Sequence, residues 1–329
     1  MSGKFRMAFI GAGSRANQVH YPAFAGLDDV EICAVCDIDR QRLDDTCDRY
    51  GVPAEHRWSG GVTEYRNMLA AERPDGVAVI GQPHIMYDIW VWCLENGYDL
   101  YVEKPLGLTI HQARSLTKLA HDHGCVATVA HQRRVTPVVM KMRDECLKRG
   151  PLTHALVRFY KCEQKDRLDA RDHMMDDTVH AIDTLRWAIG SEARSITSNV
   201  RRVGTADINF ISATIEFENG ALGYLINSWS SGRRIFDIEM HAPGTCAEVE
   251  HEKGGRLYAD GDTEGVYYSA AECAGSDEFC AVTGVRNLAR DFVDCCRDRA
   301  RIPASSFDSA LKTMEIAEKI LARATLDDK

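Results

Sequence analysis

Two rhythms of apolar and polar residues run along this chain, and they change over near residue 150. Before that point, short apolar runs alternate with stretches of helical spacing. Met7-Ala8-Phe9-Ile10 predicts a strand, as does Val30-Glu31-Ile32-Cys33-Ala34-Val35-Cys36. Residues 40–50 predict a helix stopped by Gly51-Val52-Pro53, and residues 65–72 a second one closed by Pro74-Asp75. A strand over 76–81, a helix over 87–96, a strand over 99–103, a helix over 109–123 and a strand over 125–130 complete the series. Strands separated by helices of this length imply right-handed βαβ units and a parallel sheet.

Beyond residue 150 the period shortens to two. Residues 155–161, 208–218 and 221–228 alternate, with Asn219-Gly220 as a hairpin turn between the last two. Residues 236–241 and 247–251 continue the pattern, so this half predicts an antiparallel sheet. A helix over 176–189 interrupts it, and helices over 285–297 and 306–324 end the chain. A length of 329 residues exceeds the usual size of one core. The expected division is a first domain over 1–125 and a second over 126–329.

The first strand runs into Gly11-Ala12-Gly13-Ser14-Arg15-Ala16, a G-x-G-x-x-A loop, and the second ends at Asp37. The order strand, loop, helix, strand, acid describes a dinucleotide-binding Rossmann unit. Gly11 allows a tight turn, Gly13 lets the backbone approach a pyrophosphate, and Ala16 keeps helix and strand close. The following helix offers its N-terminal amides and positive dipole end to the phosphates. Asp37 is placed to accept hydrogen bonds from an adenosine ribose, which favours NAD, with NADP as the alternative. Arg15, Arg40 and Arg42 are the residues that would favour a 2′-phosphate instead.

Composition narrows the partners. Apolar residues make up 45% and charged ones 27%, which is ordinary for a folded globular protein. A formal charge of −9 argues against nucleic acid or an anionic membrane as partner. No apolar run is long enough to span a bilayer. The first strand starts close behind Met1, which leaves no room for a signal peptide, and a cytoplasmic location is expected. The twelve cysteines do not form a metal or disulfide pattern. Cys33 and Cys36 are three apart on a strand and so point to opposite faces. Buried free thiols, and no metal site, are expected.

Ligands of such parallel sheets gather beyond the carboxyl ends of the strands. Lys104 follows the strand over 99–103, where its ammonium can polarise a carbonyl or exchange a proton with a hydroxyl. A second cluster reads Asp172-His173-Met174-Met175-Asp176-Asp177-Thr178-Val179-His180-Ala181-Ile182-Asp183. In a helix, Asp176, His180 and Asp183 would share one face. A carboxylate beside an imidazole can share a proton near neutral pH, which suits oxidation of an alcohol. Read alone, Lys104 fits equally a solvated strand-end lysine, and the cluster fits a helix start with a partly buried histidine.

G-x-G-x-x-A, Glu103-Lys104-Pro105, His131-Gln132-Arg133-Arg134 and Asp176-x-x-x-His180-x-x-Asp183, in this order, resemble the glucose–fructose oxidoreductase / inositol dehydrogenase / MocA family. The likeness extends to the last helix, with Ala310-Leu311-Lys312 and Ile316-Ala317. It implies a Rossmann domain followed by an α/β domain with an open, mainly antiparallel sheet. It also implies NAD(P)-dependent hydride transfer at a secondary alcohol or ketone of a sugar, cyclitol or related polyol. By position, Lys104, Asp176 and His180 would be the catalytic set. The expected cofactor contacts are Gly11, Gly13, Ser14, Arg15, Ala16, Asp37, Gln82, Pro83, Glu103, Lys104 and Arg133. The Lys104–Pro105 peptide would be cis.

Three departures from the family pattern stand out. Gly81-Gln82-Pro83-His84-Ile85-Met86 places Met86 where many members carry a histidine. Thr178 replaces a common glycine beside the presumed substrate, and Trp90 and Trp92 replace small residues and are expected to pack in the core or an interface. Weaker polar candidates are Lys161, Arg158, Arg167, Arg171, Trp229 and Arg233. Two rival functions remain: an NAD-dependent glycosidase that oxidises its sugar transiently, and a non-enzymatic cofactor-sensing regulator. Glu163, Asp166, Asp169 and Asp172 are the acids available to the first, whereas retention of Lys104 and His180 argues against the second. A sheet left open on one face would expose apolar surface, so a homodimer or homotetramer is expected.

Overall fold

The computed structural model describes residues 3–166 and 172–327, so the candidates Arg167, Asp169 and Arg171 lie outside the described residues. Two compact units divide the chain. One comprises 1–130 and 285–309, the other 131–284 and 310–329. The expected boundary at 125/126 is thus moved and the first unit is discontinuous. Residues 127–129 form a strand of the first sheet, and the backbone amide of Val129 donates to the carbonyl of Ser305 at 2.9 Å, tying in the returning segment.

The first unit holds β1 (Phe5–Ile10), β2 (Val30–Cys36), β3 (Arg57–Trp58), β4 (Gly76–Val79), β5 (Leu100–Val102) and β6 (Ala127–Val129). They form one parallel sheet in the order β3-β2-β1-β4-β5-β6. The order reverses beside β1, which is the switch point where a crevice opens beyond the strand ends. Helix boundaries follow local chemistry. Asp39 caps Arg40–Tyr50 by accepting from the Arg42 amide, and Gly51 ends it in a left-handed conformation. The helix Pro83–Glu95 starts four residues earlier than its periodicity suggests, because Pro83 fits the first turn. Trp90 is fully buried, and Trp92 packs against Tyr65 and Tyr98, so both are packing residues.

The second unit is built on β7 (His154–Cys162), β8 (Ala193–Arg201), β9 (Phe210–Phe217), β10 (Leu222–Ser228), β11 (Ser230–Ala242), β12 (Thr245–Glu250), β13 (Gly254–Ala259) and β14 (Val266–Ser269). Their order is β14-β13-β12-β11-β7-β10-β9-β8, antiparallel except for β7 beside β10. β8, β13 and β14 have no clear signal in the sequence, since few of their residues are buried and the apolar contrast between their faces is weak. One face buries Ala155, Val157, Phe159, Leu225, Ile238 and Val249. On the other, a single row crosses all eight strands: Thr197, Thr214, Tyr224, Leu156, Glu239, Glu248, Arg256, Tyr267. All eight are at least partly exposed. The open face is therefore mixed rather than apolar, and Arg158 pairs with Asp237 on it at 2.6 Å.

All twelve cysteines are free. Burial pushes the thiols of Cys33 and Cys36 up to about 12, so both stay protonated. Among the described residues no group of three or more His, Cys, Asp or Glu side chains is placed to hold a metal ion, and no helix is long and apolar enough to cross a membrane.

Candidate active site

In the first unit the rim of the sheet carries the glycine loop. Gly11 has φ +107°, and a Cβ there would stand 2.1 Å from the carbonyl oxygen of Ile80, at the end of β4. Only glycine fits this crossing of two chains. A Cβ on Gly13 would meet nothing within 4 Å, so this backbone stays open on the side a pyrophosphate would approach. Ala16 is buried, as the close helix packing requires. The helix turns from Ser14, widens into a π turn over Ala16–His20, and continues as Tyr21–Ala25. The Ser14 hydroxyl accepts from Gln18 at 3.0 Å.

Asp37 is already engaged. Its Oδ2 accepts from the Ala12 amide at 2.6 Å and its Oδ1 from the Asp39 amide at 2.8 Å, which ties the loop to the end of β2. The carboxylate is half-exposed and retains lone pairs for a ribose. Each arginine that would favour a 2′-phosphate is paired with a carboxylate: Arg15 with Glu103 at 3.2 Å, Arg40 with Asp44 at 2.8 Å, Arg42 with Asp39 at 3.1 Å. Gln82 is exposed and Pro83 buried at the start of the helix beyond β4. Met86 folds back over Gly81, where a Cβ would stand 2.2 Å from the Met86 methyl.

Glu103, expected at the cofactor, is buried and holds protein groups. Its Oε1 stands 2.6 Å from His20 Nε2 and 3.2 Å from Arg15 Nε, and its Oε2 accepts from the Lys104 amide at 3.1 Å. Burial alone would raise its pKa, but the His20 hydrogen bond and the nearby charges of His20, Arg15 and Lys104 outweigh that and hold the carboxyl well below the usual range. Lys104 is itself buried, and the Lys104–Pro105 peptide is cis. His20 escaped the sequence analysis. A lone histidine between Val19 and Tyr21 carries no signal until the fold sets it beside Glu103.

In the second unit the cluster is not a uniform helix. Met174–Thr178 forms a π turn and Val179–Ile189 an α-helix, so the spacing that joins Asp176, His180 and Asp183 is not that of one regular helix. π turns are uncommon and favour functional sites. Asp176 is half-exposed and His180 buried, with its ring 5.9 Å from that of His131. Asp183 is buried and structural. It binds Arg134 through both oxygens, accepts from Thr313 at 3.1 Å, and stands 3.1 Å from His131 Nδ1. Burial works to raise its pKa, but the Arg134 and His131 charges prevail and hold the carboxyl well below the usual range.

Asp177, part of the cluster in sequence but given no role there, is engaged as well. Its buried Oδ2 accepts from Trp229 Nε1 at 2.9 Å and from Lys161 Nζ at 2.7 Å. The sequence therefore named Lys161, Trp229 and Asp177 separately but not the contact that joins them. Thr178 is buried, donating to the His173 carbonyl at 3.3 Å and accepting from Asn227 at 3.0 Å. Arg133, expected at the cofactor, lays its guanidinium 3.9 Å from the Phe236 ring centre within this unit. Arg158 faces the open side of the sheet with Asp237, and Arg233 is exposed.

Both parts of the chain match known protein families. Residues 5–131 match the oxidoreductase family model with the NAD-binding Rossmann fold, and residues 154–254 match the GFO/IDH/MocA C-terminal domain. The chain belongs to the Gfo/Idh/MocA family of NAD-binding oxidoreductases. It is 26% identical to the rhizopine catabolism protein MocA of Rhizobium meliloti, with 97% of this chain and 96% of the relative covered. It is 24% identical to D-glucoside 3-dehydrogenase of Escherichia coli (strain K12), over 70% of this chain and 71% of the relative. An oxidoreductase from Agrobacterium radiobacter, solved with NAD+, L-tartaric acid and magnesium, shares the fold at TM-score 0.79 and 16% identity, covering 98% of this chain and 97% of that one. The first unit fits the cofactor through the open Gly13 backbone, the Gly11 crossing and the Asp37 carboxylate.

Proposed function

We propose that this protein is an NAD-dependent dehydrogenase or reductase acting at a secondary alcohol or ketone of a sugar, cyclitol or related polyol. The observation that carries the reading is Lys104: a buried cation at the carboxyl end of β5, anchored through its own amide by Glu103. Gly11, Gly13, Ser14, Ala16 and Asp37 would hold NAD, which when bound supplies the hydride acceptor. Lys104 and His180 would move the hydroxyl proton, and Asp176 would set the charge of the imidazole one turn away. The name of the D-glucoside 3-dehydrogenase relative supports a polyol substrate.

The glycosidase reading has less support. Of its candidate acids, Asp166 accepts from the distant Ala206 amide at 2.6 Å and Asp172 from the Met175 amide at 2.8 Å, so both are engaged by backbone. Incubation with NAD and a panel of sugars, inositols and glycosides tests the choice. NADH absorbance with at least one compound is the expected result. Aglycone release without net NADH would establish the hydrolase instead.

A further inference from the structure

We propose that Lys161 is a substrate-binding residue, whose ammonium, held by Asp177, donates to a hydroxyl oxygen of the polyol. The assignment rests on the dehydrogenase function proposed above. In β7 the residues facing the helices are Ala155, Val157 and Phe159, all buried, and Lys161 is the next on that face. A lysine replaces the apolar series where the strand reaches the turn that carries Asp176 and precedes His180. Its Nζ stands 2.7 Å from Asp177 Oδ2 and 5.4 Å from the Phe159 ring centre. Glu163 is 3.7 Å away, beyond hydrogen-bonding distance. An ammonium has three protons to donate, and among the described residues Asp177 takes one. The side chain is 19% exposed, so it is within reach of an incoming ligand.

A role in packing alone does not account for this pair. Trp229 also donates to Asp177 Oδ2, so a neutral Asn at 177 with an apolar residue at 161 would hold the indole without desolvating two charges. What the charged pair adds is a directed donor whose position is fixed. Trp229, stacked on His173 at 4.2 Å, and Phe159 supply a rigid wall beside it. A few fixed polar groups on an apolar wall are how pockets orient small ligands.

A variant cycle of Lys161→Met, Asp177→Asn and the double variant tests the assignment. Probes are myo-inositol, D-glucose and methyl β-D-glucoside, with NAD present for KM and kcat and NADH present for ligand-observed NMR. Lys161→Met should raise KM by at least about tenfold, the scale of one charge-assisted hydrogen bond, and lower kcat by less. NAD affinity should not change, and Lys161→Arg should recover part of the loss. The double variant should remain as weak as Lys161→Met. Recovery of wild-type KM in the double variant would show that Lys161 serves only as counter-ion to Asp177, and would overturn the assignment. Binding of a probe to wild type without NADH formation would count against the dehydrogenase, while loss of that binding in Lys161→Met would still support Lys161. Failure of wild type to bind any of the three, or unchanged binding by Lys161→Met, would overturn it.

Discussion

Oε1 of Glu103 and Nε2 of His20 lie 2.6 Å apart, both side chains buried, one residue before the lysine on which the proposed chemistry depends. The carboxylate also takes the Lys104 amide, so the His20 contact fixes the backbone that presents Lys104. Glu103→Gln keeps the shape but removes the charge that balances His20 and Arg15. Stability at pH 7 should fall by about 3–5 kcal/mol, as when one partner of a buried ion pair is lost.

The same carboxylate sets an acid limb. Its folded-state pKa lies below the unfolded value, near 4.3. Its stabilisation is therefore complete above the unfolded value and is lost as pH falls toward the folded one. Urea unfolding from pH 7 to 3 should show the gap between wild type and Glu103→Gln narrowing below about pH 4. A gap that stays constant would mean that charge is not what the variant lacks.

Lys104→Ala should lower turnover by at least about a hundredfold, with NAD affinity nearly unchanged. His180→Ala should cost a similar factor and change the pH–rate profile more, because imidazole titrates near neutrality. Wild-type turnover in either variant would remove that residue from proton transfer.

NAD should bind at least about tenfold more tightly than NADP, since Asp37 would repel a 2′-phosphate and a lost charged contact is worth about 1.5–3 kcal/mol. Arg15, Arg40 and Arg42 do not offset this, each being paired with a carboxylate. Calorimetry with both dinucleotides decides the matter, and equal affinity would contradict it.

The open face of the second sheet should pair with a copy of itself, giving a homodimer or a tetramer of dimers. Its mixed row, with Tyr224 and Leu156 beside Glu239, Glu248 and Arg256, makes charged contacts part of that interface. Light scattering should show dissociation favoured by Tyr224→Glu. A stable wild-type monomer at micromolar concentration would exclude the assembly.

Features that depend on neighbours in sequence were legible before any coordinates. Alternation of apolar runs and helical spacing fixed the βαβ series, and the glycine spacing fixed the turn at Gly11. The position of Lys104 followed from the end of β5. Such features arise within one strand–turn–helix unit, where spacing and stereochemistry suffice. β8 was not legible, because its less exposed row, Ile196, Ser198 and Val200, includes a serine and has no fully buried member, so the alternation carries little apolar contrast.

Partners far apart in sequence were decided by tertiary structure. Glu103 meets His20 across 83 residues and Arg134 meets Asp183 across 49. Strand order and the phase of the helices set those meetings, and periodicity encodes neither. The cluster around Met174–Thr178 is an example: Asp183 pairs with Arg134, and Asp177, within the π turn, meets Lys161 and Trp229. The residue types for proton transfer were present in the sequence, but which of them became buried counter-ions depended on packing, since a buried charge persists only where the fold supplies its partner.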